Sequence, residues 1–326
     1  NTTGYMRGKM SDGSWITPFE PNAVTQQYTE ANAWQYNFFV PHDVKGLIEL
    51  NGGNENFVKK LDGLFNEPNK LEGRFQPDIS GMIGQYAHGN EPSHNFAYLY
   101  NYACASWKTQ ERVRDIIKKM YTSKPDGLCG NDDCGQMSAW YVFSAMGFYP
   151  VTPGQNTYAI GSPIFEKVTI NLENRKKFVI KADKVSEKNK YIQLASLNKK
   201  VYEHAFFTHE QIMNGGEAIF IMGDTPNKLW GNENPELFSM RPVEQGVLMP
   251  YVSSTGETFY DTLSIKLMCG TEDAKIRYTI DGSEPTFDSP LYTNPIIIHQ
   301  AATIKAFAYT SDNDRSFTMN SKFVKS

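Results

Sequence analysis

The chain has 326 residues, of which 40% are hydrophobic and 13% aromatic, enough apolar material for more than one folded core. Its formal net charge at pH 7 is -4, and no block of the sequence is rich in lysine and arginine, which argues against nucleic-acid binding. No apolar run is long enough to predict a membrane-spanning helix. The composition therefore indicates a globular protein of at least two domains.

The N-terminal half, as far as about residue 150, is predicted to be mostly helical, because apolar residues recur there at helical spacing. The first helix is expected over residues 29–40, where Pro41 would end it. Similar patterns predict five further helices, near residues 44–51, 57–65, 96–103, 113–121 and 136–147. Because short polar loops join them, neighbouring helices are expected to be antiparallel.

From about residue 155 the apolar residues alternate with polar ones, which predicts strands. Strands are expected at residues 168–172, 178–180 and 191–194, with two more in 204–222 on either side of the turn at 214–216. The stretch 232–250 is interpreted as a linker. About seven short strands after residue 251 predict a small sandwich of immunoglobulin-like type, a spacer or stabilising module without catalytic residues.

The most informative stretch is residues 130–141, in which Asp132 and Asp133 stand immediately before the predicted sixth helix. One aspartate at such a place is usually a helix cap, because its carboxylate accepts a backbone N–H. A cap needs only one acceptor, and two adjacent negative charges repel each other. At least one of the two aspartates is therefore a candidate for chemistry.

Two other loops carry candidate functional residues. Residues 88–94 (HGNEPSH) offer two histidines, an asparagine and a glutamate, and oxygen donors such as Asn90 and Glu91 suit calcium better than zinc. Glu30 lies at the start of the first predicted helix, either as a residue favoured by the helix dipole or as a general acid whose pKa nearby aromatic residues raise. One protonated and one ionised carboxyl group would suit hydrolysis of a glycosidic bond.

The cysteines give no motif. Cys129 and Cys134 are five residues apart, a spacing that fits neither a C-x-x-C redox pair nor a zinc knuckle. All four cysteines are therefore predicted to be buried free thiols.

Three stretches, residues 29–36 (TEANAWQY), 84–94 (GQYAHGNEPSH) and 130–140 (GNDDCGQMSAW), resemble the signature blocks of the bacterial exo-α-mannosidases of glycoside hydrolase family 92. The resemblance extends over about residues 1–240. It implies a catalytic (α/α)6 barrel preceded by an N-terminal β-sandwich, and calcium-dependent hydrolysis of α-linked mannose with inversion. Residues 276–286 (IRYTIDGSEPT) are similar to the small β-sandwich appended to chitobiases, which implies an accessory role.

The resemblance assigns roles to individual residues. Glu30 would be the general acid, and Asp133 the general base, with Asp132 as its partner or rival. Asn90 and Glu91 would be the calcium ligands. Four further residues would contact the sugar: His88, His94, Trp34 and Gln136.

The expected architecture is multidomain: a partial (α/α)6 helical toroid in residues 1–154, a β-rich region in 155–240 that completes the catalytic domain, and the sandwich in 249–326. A complete toroid has about twelve helices, and about six are predicted here, so the chain is expected to be the C-terminal fragment of a longer enzyme. That fragment is expected to be inactive without its N-terminal part.

The sequence therefore predicts an inverting, calcium-dependent exo-α-mannosidase for α-1,2 or related linkages in mannose-rich glycans. The alternative is a carbohydrate-binding protein without catalytic activity. The resemblance also implies a bacterial protein that is secreted, periplasmic or at the cell surface.

Overall fold

The computed structural model describes residues 3–10, 14–232, 235, 246–253, 256–311 and 314–326. The described residues form two compact units, one within Asn1–Met6 and Phe19–Arg241 and the other within Arg7–Pro18 and Pro242–Ser326. Within the described ranges, no helix has the length and apolar character that crossing a membrane requires.

The first unit contains the helices, most of them in its N-terminal half. They are α1 Ala33–Tyr36, α2 Val44–Leu50, α3 Asn54–Asn66, α4 Leu99–Tyr102, α5 Ser106–Met120, α6 Gln136–Met146 and α7 His209–Met213. Two 3-10 turns, Glu91–Ser93 and Phe96–Tyr98, precede α4. The predicted helices near 44–51, 57–65, 113–121 and 136–147 are confirmed, whereas the one near 96–103 is a 3-10 turn followed by a single α-helical turn.

The first predicted helix, over residues 29–40, is wrong in length. Ala31 has a φ of 60°, in the left-handed region, so the chain cannot be helical there. Asn32 then caps α1 by accepting the N–H groups of Trp34 and Gln35 with its side-chain oxygen. The helix is only four residues long, and Glu30 lies before it in a strained turn.

The strands of the first unit form short pairs among the helices and two sheets after them. They are β1 Ala23–Val24, β2 Glu72–Gly73, β3 Met82–Ile83, β4 Tyr86–Ala87, β5 Phe148–Tyr149, β6 Thr157–Ile160, β7 Lys167–Asn171, β8 Lys177–Asp183, β9 Tyr191–Leu197, β10 Lys200–Val201, β11 Phe206–Thr208 and β12 Gly216–Gly223. One sheet has the order β10-β9-β12-β8-β7 and the other β11-β6-β5. The three predicted strands near 168–172, 178–180 and 191–194 are β7, β8 and β9.

The two strands predicted in residues 204–222 are present as β11 and β12, but they are not joined by a simple turn. A helix, α7, stands between β11 and β12, because Thr208 and Gln211 form a capping box at its start. Strand β12 pairs in parallel with β8 and antiparallel with β9, so it does not form a hairpin with β11. The turn at 214–216 is confirmed: Gly215 and Gly216 have φ values of 72° and 125°.

One hydrophobic core joins the helices and the two sheets of the first unit. It contains Phe57 and Leu61 of α3, Ile116 of α5, Trp140 of α6 and Phe220 of β12, none of them more than 1% exposed. Burial of such side chains stabilises the fold by about 1.5–3 kcal/mol each. The loops that carry the three motifs are therefore anchored on a rigid base.

The second unit contains eight strands among its described residues, close to the seven or so predicted. They are β13 Tyr251–Val252, β14 Thr258–Phe259, β15 Leu263–Ile265, β16 Leu267–Met268, β17 Lys275–Thr279, β18 Ile296–Ile298, β19 Ala302–Tyr309 and β20 Met319–Lys325. The main sheet has the order β14-β20-β19-β17. Most of the predicted linker, residues 233–234 and 236–245, lies outside the described residues.

All four cysteines are thiols rather than disulfides, as predicted, but the prediction that they are buried is wrong. Cys134 is exposed in the turn before α6, and Cys104, Cys129 and Cys269 are partly exposed. Partial burial raises the pKa of the Cys129 thiol. None of the four is therefore held as a disulfide or fully enclosed in a core.

Candidate active site

Asp132 forms the cap of helix α6. Gly135, at the N-cap position, has no side chain that could accept a hydrogen bond. The carboxylate of Asp132 takes this role and accepts the N–H of Ser138 at 2.9 Å, and its backbone carbonyl accepts the N–H of Met137 at 3.2 Å. Asp132 thus satisfies N–H groups that the start of a helix would otherwise leave without partners.

Asp133 has a different environment from its neighbour. It has a φ of 48°, and Cys134 and Gly135 follow with 56° and 92°, so three successive residues are left-handed. Such a conformation costs free energy at a non-glycine residue and is often found at functional sites. The turn leaves the Asp133 side chain exposed, while its backbone carbonyl accepts the N–H of Gln136. The second aspartate is therefore free for chemistry.

Three carboxyl groups from three separate motifs come together. The side chain of Glu91 is within hydrogen-bonding range of Asp133. Partial burial raises the pKa of Glu91, and this hydrogen bond and the negative charges of Asp133 and Glu30 raise it further. The fold therefore brings Glu91 and Asp133 into contact and Glu30 near enough for its charge to act on Glu91, and these three residues are called the carboxylate cluster below.

A buried histidine supports the loop that carries Glu91. His88 has no exposed surface, and its Nδ1 lies 2.7 Å from Tyr86 Oη and its Nε2 lies 2.6 Å from Tyr121 Oη. Tyr121 donates its own hydroxyl proton to the carbonyl of Met137, so His88 donates from Nε2 and accepts at Nδ1. Both ring nitrogens are thus occupied within the protein.

His94 continues this network towards α6. Its Nε2 donates to the carbonyl of His88 at 2.9 Å, and its Nδ1 accepts from Gln136 Nε2 at 3.1 Å. Trp140 Nε1 donates to the carbonyl of His94 at 2.9 Å. These bonds fix the second motif against the third, with Gln136 at the edge between the network and the Asp133 turn.

Two glycines allow the second and third motifs to touch. A Cβ atom at Gly89 would lie 2.1 Å from Ser80 Oγ, and one at Gly130 would lie 2.8 Å from the same oxygen. A larger residue at either position would have to displace the Ser80 side chain, which lies against both loops. This contact explains why glycine precedes Asn90 and stands three residues before Asp133.

A network of buried amides connects the first motif to the second. Asn32 Nδ2 donates to Gln85 Oε1 at 2.8 Å, and Gln35 Nε2 donates to the carbonyl of Gln85 at 3.0 Å. All three residues are at most 1% exposed, so these bonds are shielded from water. The network fixes the position of the Glu30 turn relative to the 84–94 loop.

Two of the predicted sugar ligands lie in the core. Trp34 is 8% exposed, and its indole N–H donates to Asn22 Oδ1 at 2.9 Å. Because the ring also packs edge-on against Tyr5, we assign packing roles to Trp34 and to the fully buried His88. Their contact with sugar stays a prediction that this conformation does not support. Sequence reasoning also missed Asn32, Gln35 and Gln85, although they stand inside the quoted motifs.

Asn90 meets one requirement of a cation ligand. It is 1% exposed, and its Oδ1 has no hydrogen-bond partner, which is costly for a buried polar atom. In the part of the chain that the structure describes, no lysine or arginine forms an ion pair with Glu30, Glu91 or Asp133. An unpartnered amide oxygen beside unneutralised carboxylates is a donor set that fits a hard cation.

The donor set is not a complete metal site made of side chains. Within the described ranges, no three histidine, cysteine, aspartate or glutamate side chains are grouped so that they could hold a metal ion. Amide, backbone and water oxygens would have to supply the remaining ligands, as they commonly do for calcium.

The two buried histidines predict acid sensitivity. Burial lowers the pKa of His88 to about 2 and of His94 to about 4, so both are neutral in the folded protein at pH 5–7. In the unfolded chain they become charged below pH ~6.5, so the free energy of unfolding should fall as the pH drops from 7.5 to 5. The slope reaches about 1.4 kcal/mol per pH unit for each histidine.

Urea unfolding of the chain at a series of pH values measures this slope. The variant His94→Gln should flatten it, while His42→Gln, at an exposed position, should leave it unchanged. A free energy of unfolding that stays constant between pH 7.5 and 5 would contradict the prediction.

Comparison with known proteins identifies the family. The model of the glycosyl hydrolase family 92 catalytic domain matches residues 1–224, and that of the chitobiase/beta-hexosaminidase C-terminal domain matches residues 254–320. A protein described as an uncharacterized secreted glycosidase, from Arthroderma benhamiae, is 36% identical over 211 residues, which are 64% of this chain and 25% of that protein.

Solved structures of family GH92 enzymes from Bacteroides thetaiotaomicron are also similar. An α-mannosidase is 44% identical with a TM-score of 0.65, over 70% of this chain and 30% of its own. Its complex with mannoimidazole matches with a TM-score of 0.67 at 40% identity, over 73% of this chain and 34% of that one. A second enzyme, described as an inverting mannosidase, matches with 0.62 at 39% identity, over 72% and 33%.

The chain spans about a third or less of the length of these relatives. The family model nevertheless covers more than half of the chain, including all three motifs that form the carboxylate cluster. The chain therefore belongs to glycosyl hydrolase family 92 and carries a chitobiase-type C-terminal domain after the family's catalytic domain.

Proposed function

We propose that this chain supplies the general acid and the general base of an inverting exo-α-mannosidase that removes terminal mannose from mannose-rich glycans. The observation that carries the proposal is the cluster of Glu30, Glu91 and Asp133, assembled from three motifs within the family 92 catalytic domain. The α-mannosidase names of the similar structures support mannose as the sugar. Linkages of the α-1,2 type or related ones are the proposed targets.

The mechanism divides the work between two carboxyl groups. Glu30, protonated, donates its proton to the glycosidic oxygen as the bond to the leaving group breaks. Asp133, ionised, accepts a proton from a water molecule, which attacks the anomeric carbon from the opposite face and inverts its configuration. Inversion requires about 6.5–9.5 Å between the two carboxyl groups, enough for that water.

Asp132 and Gln136 hold this arrangement in place. Asp132 anchors the turn by capping α6, and Gln136 ties the same turn to His94. We therefore assign the base to Asp133 rather than to Asp132. The hydrogen bond from the N–H of Ser138 to the Asp132 carboxylate supports this choice.

Calcium is the proposed cofactor, and Asn90 and Glu91 are the residues that would hold it. The unpartnered, buried Oδ1 of Asn90 is the observation in its favour. When bound, a divalent cation would orient the sugar hydroxyls and stabilise the charge distribution of the transition state. Glu91 would then serve the cation, leaving Glu30 and Asp133 for proton transfer.

We further propose that residues 1–154 form part of an (α/α)6 toroid, that 155–240 complete the catalytic domain and that 249–326 form the accessory sandwich. Leu50 of α2 and Val142 of α6 are 80% and 53% exposed, as expected where further helices would pack. An N-terminal part of the same polypeptide would then complete the barrel and the active site. Secretion is proposed from the description of the Arthroderma relative.

Hydrolysis of α-linked mannobioses, with and without a chelator, tests the proposal. We expect a polypeptide of full family length to release mannose, to stop when EDTA is added and to resume with calcium, because the cation completes the site. The chain alone should release little or none. Mannose binding without release under any condition would instead support a carbohydrate-binding protein, and release that EDTA does not affect would contradict the calcium assignment.

A further inference from the structure

The turn that carries Glu30 contains a residue in an unfavourable backbone conformation. Ala31 is buried and left-handed, with a φ of 60°. A residue with a Cβ atom in this region costs about 1–2 kcal/mol relative to the usual conformations, and it persists only where the surroundings enforce it. Helix α1 contributes one hydrogen bond to the turn, from the N–H of Thr29 to Tyr36 Oη at 3.2 Å, but its cap at Asn32 begins after Ala31 and leaves the N–H of Ala31 to another segment.

Two side chains from a distant segment hold the turn on both sides of Glu30. Gln76 Oε1 accepts the N–H of Ala31 at 2.7 Å. Arg74 Nη2 donates to the carbonyl of Thr29 at 2.8 Å. The residues immediately before and after Glu30 are therefore both fixed by residues 45 positions away in the sequence.

The segment that carries these two side chains is itself docked firmly. Strand β2 pairs in parallel with β1, and the N–H of Arg74 donates to the carbonyl of Val24 at 2.9 Å. Gly73 has a φ of 84°, and a Cβ atom there would lie 2.3 Å from the Val24 oxygen, so only glycine permits this approach. The fold therefore fixes the position of the segment that carries Arg74 and Gln76.

We propose that Arg74 and Gln76 are positioning residues for the general acid. The inference rests on the proposed function, in which Glu30 protonates the leaving group. Neither residue needs to touch the sugar: each fixes the backbone beside Glu30, so that its carboxyl group lies within hydrogen-bonding distance of the glycosidic oxygen. Proton transfer requires that distance, and a displacement of about 1 Å lowers the rate about a hundredfold.

The dependence of turnover on the leaving group distinguishes a positioning role from a purely structural one, because a structural defect would affect all substrates alike. The leaving group of a mannobiose is a sugar hydroxyl, which must be protonated as it departs. The leaving group of 2,4-dinitrophenyl α-mannoside is 2,4-dinitrophenolate, which departs without a proton. In the full-length enzyme, Gln76→Ala should lower kcat on mannobiose by about ten- to a hundredfold, with little change in KM. Turnover of the dinitrophenyl mannoside should stay within about threefold.

A conservative variant should restore the function. Gln76→Glu keeps an oxygen that can accept the N–H of Ala31, so kcat on mannobiose should recover.

Gln193→Ala is the matched control. Gln193 is similarly half-buried in the same unit, and its side chain also bonds to backbone, at the carbonyl of Thr225. This variant should leave the ratio of the two substrate activities unchanged. An equal loss on both substrates in Gln76→Ala, or no loss, would overturn the inference, whereas a wild-type enzyme that cleaves neither substrate would overturn the proposed function instead.

Discussion

Replacing Glu30 by glutamine is expected to lower kcat/KM on an α-linked mannobiose by about 10²–10⁴-fold, the usual contribution of a general acid. Glutamine keeps the shape of the side chain and has no acidic proton to transfer. Glu30 is half-buried beside Glu91, so the change should not disturb the packed core. Steady-state hydrolysis by the full-length enzyme measures the effect.

The same variant should retain most of its activity on 2,4-dinitrophenyl α-mannoside, because this leaving group departs without protonation. The control is Glu20→Gln, an exposed glutamate outside the cluster, which should leave both activities unchanged. A Glu30→Gln enzyme that hydrolyses mannobiose at the wild-type rate would show that another group is the acid. Loss of binding together with turnover would indicate that Glu30 holds the sugar instead.

The sequence predicted the elements that depend on local patterns. Helices α2, α3, α5 and α6 and strands β7, β8 and β9 all follow apolar periodicity, which determines which face of an element can be buried. The helix at 209–213 was missed although Thr208 and Gln211 stand three residues apart, the spacing of a capping box. The alternating apolar residues around it favoured a strand, and the cap decided the outcome.

The sequence could not predict features that arise from contacts between distant segments. Gln76 fixes the N–H of Ala31, and Ala31 then adopts a conformation that no local preference favours. The predicted helix over 29–40 failed for this reason. Likewise, sugar contact by His88 and Trp34 is implied by the family resemblance and stays a prediction, whereas their hydrogen bonds to Tyr121 and Asn22 in the packed interior could not be predicted from the sequence.

The roles of Asp132 and Asp133 depend both on the local sequence pattern and on contacts between distant segments. The sequence indicates that one aspartate suffices as a cap and that the other is available. Which is which depends on the left-handed turn at 133–135, where the Asp132 carboxylate faces the N–H of Ser138 and that of Asp133 meets Glu91. The structure thus converts an ambiguity into two separable predictions.

Asp133→Asn is expected to lower kcat by about 10²–10⁴-fold on mannobiose and on 2,4-dinitrophenyl α-mannoside alike. Both substrates need an activated water, whatever their leaving group, so the loss of a base affects them equally. Asparagine tolerates a positive φ, so the turn should survive. Thermal unfolding should confirm that the fold is retained, and this equal loss distinguishes the base from the acid.

Asp132 provides the comparison at the adjacent position. Asp132→Asn keeps an oxygen that can accept the N–H of Ser138, so both stability and turnover should stay close to those of the wild type. Asp132→Ala removes the cap and should lower the free energy of unfolding by about 1 kcal/mol. The turnover of this variant should fall only slightly, because the base is still present and is affected only through the displacement of Asp133 in the loosened turn. If Asp132→Asn abolished turnover while Asp133→Asn did not, Asp132 would be the base and Asp133 the supporting residue. The hydrogen bond from Ser138 would then hold a catalytic carboxylate in position at the start of α6.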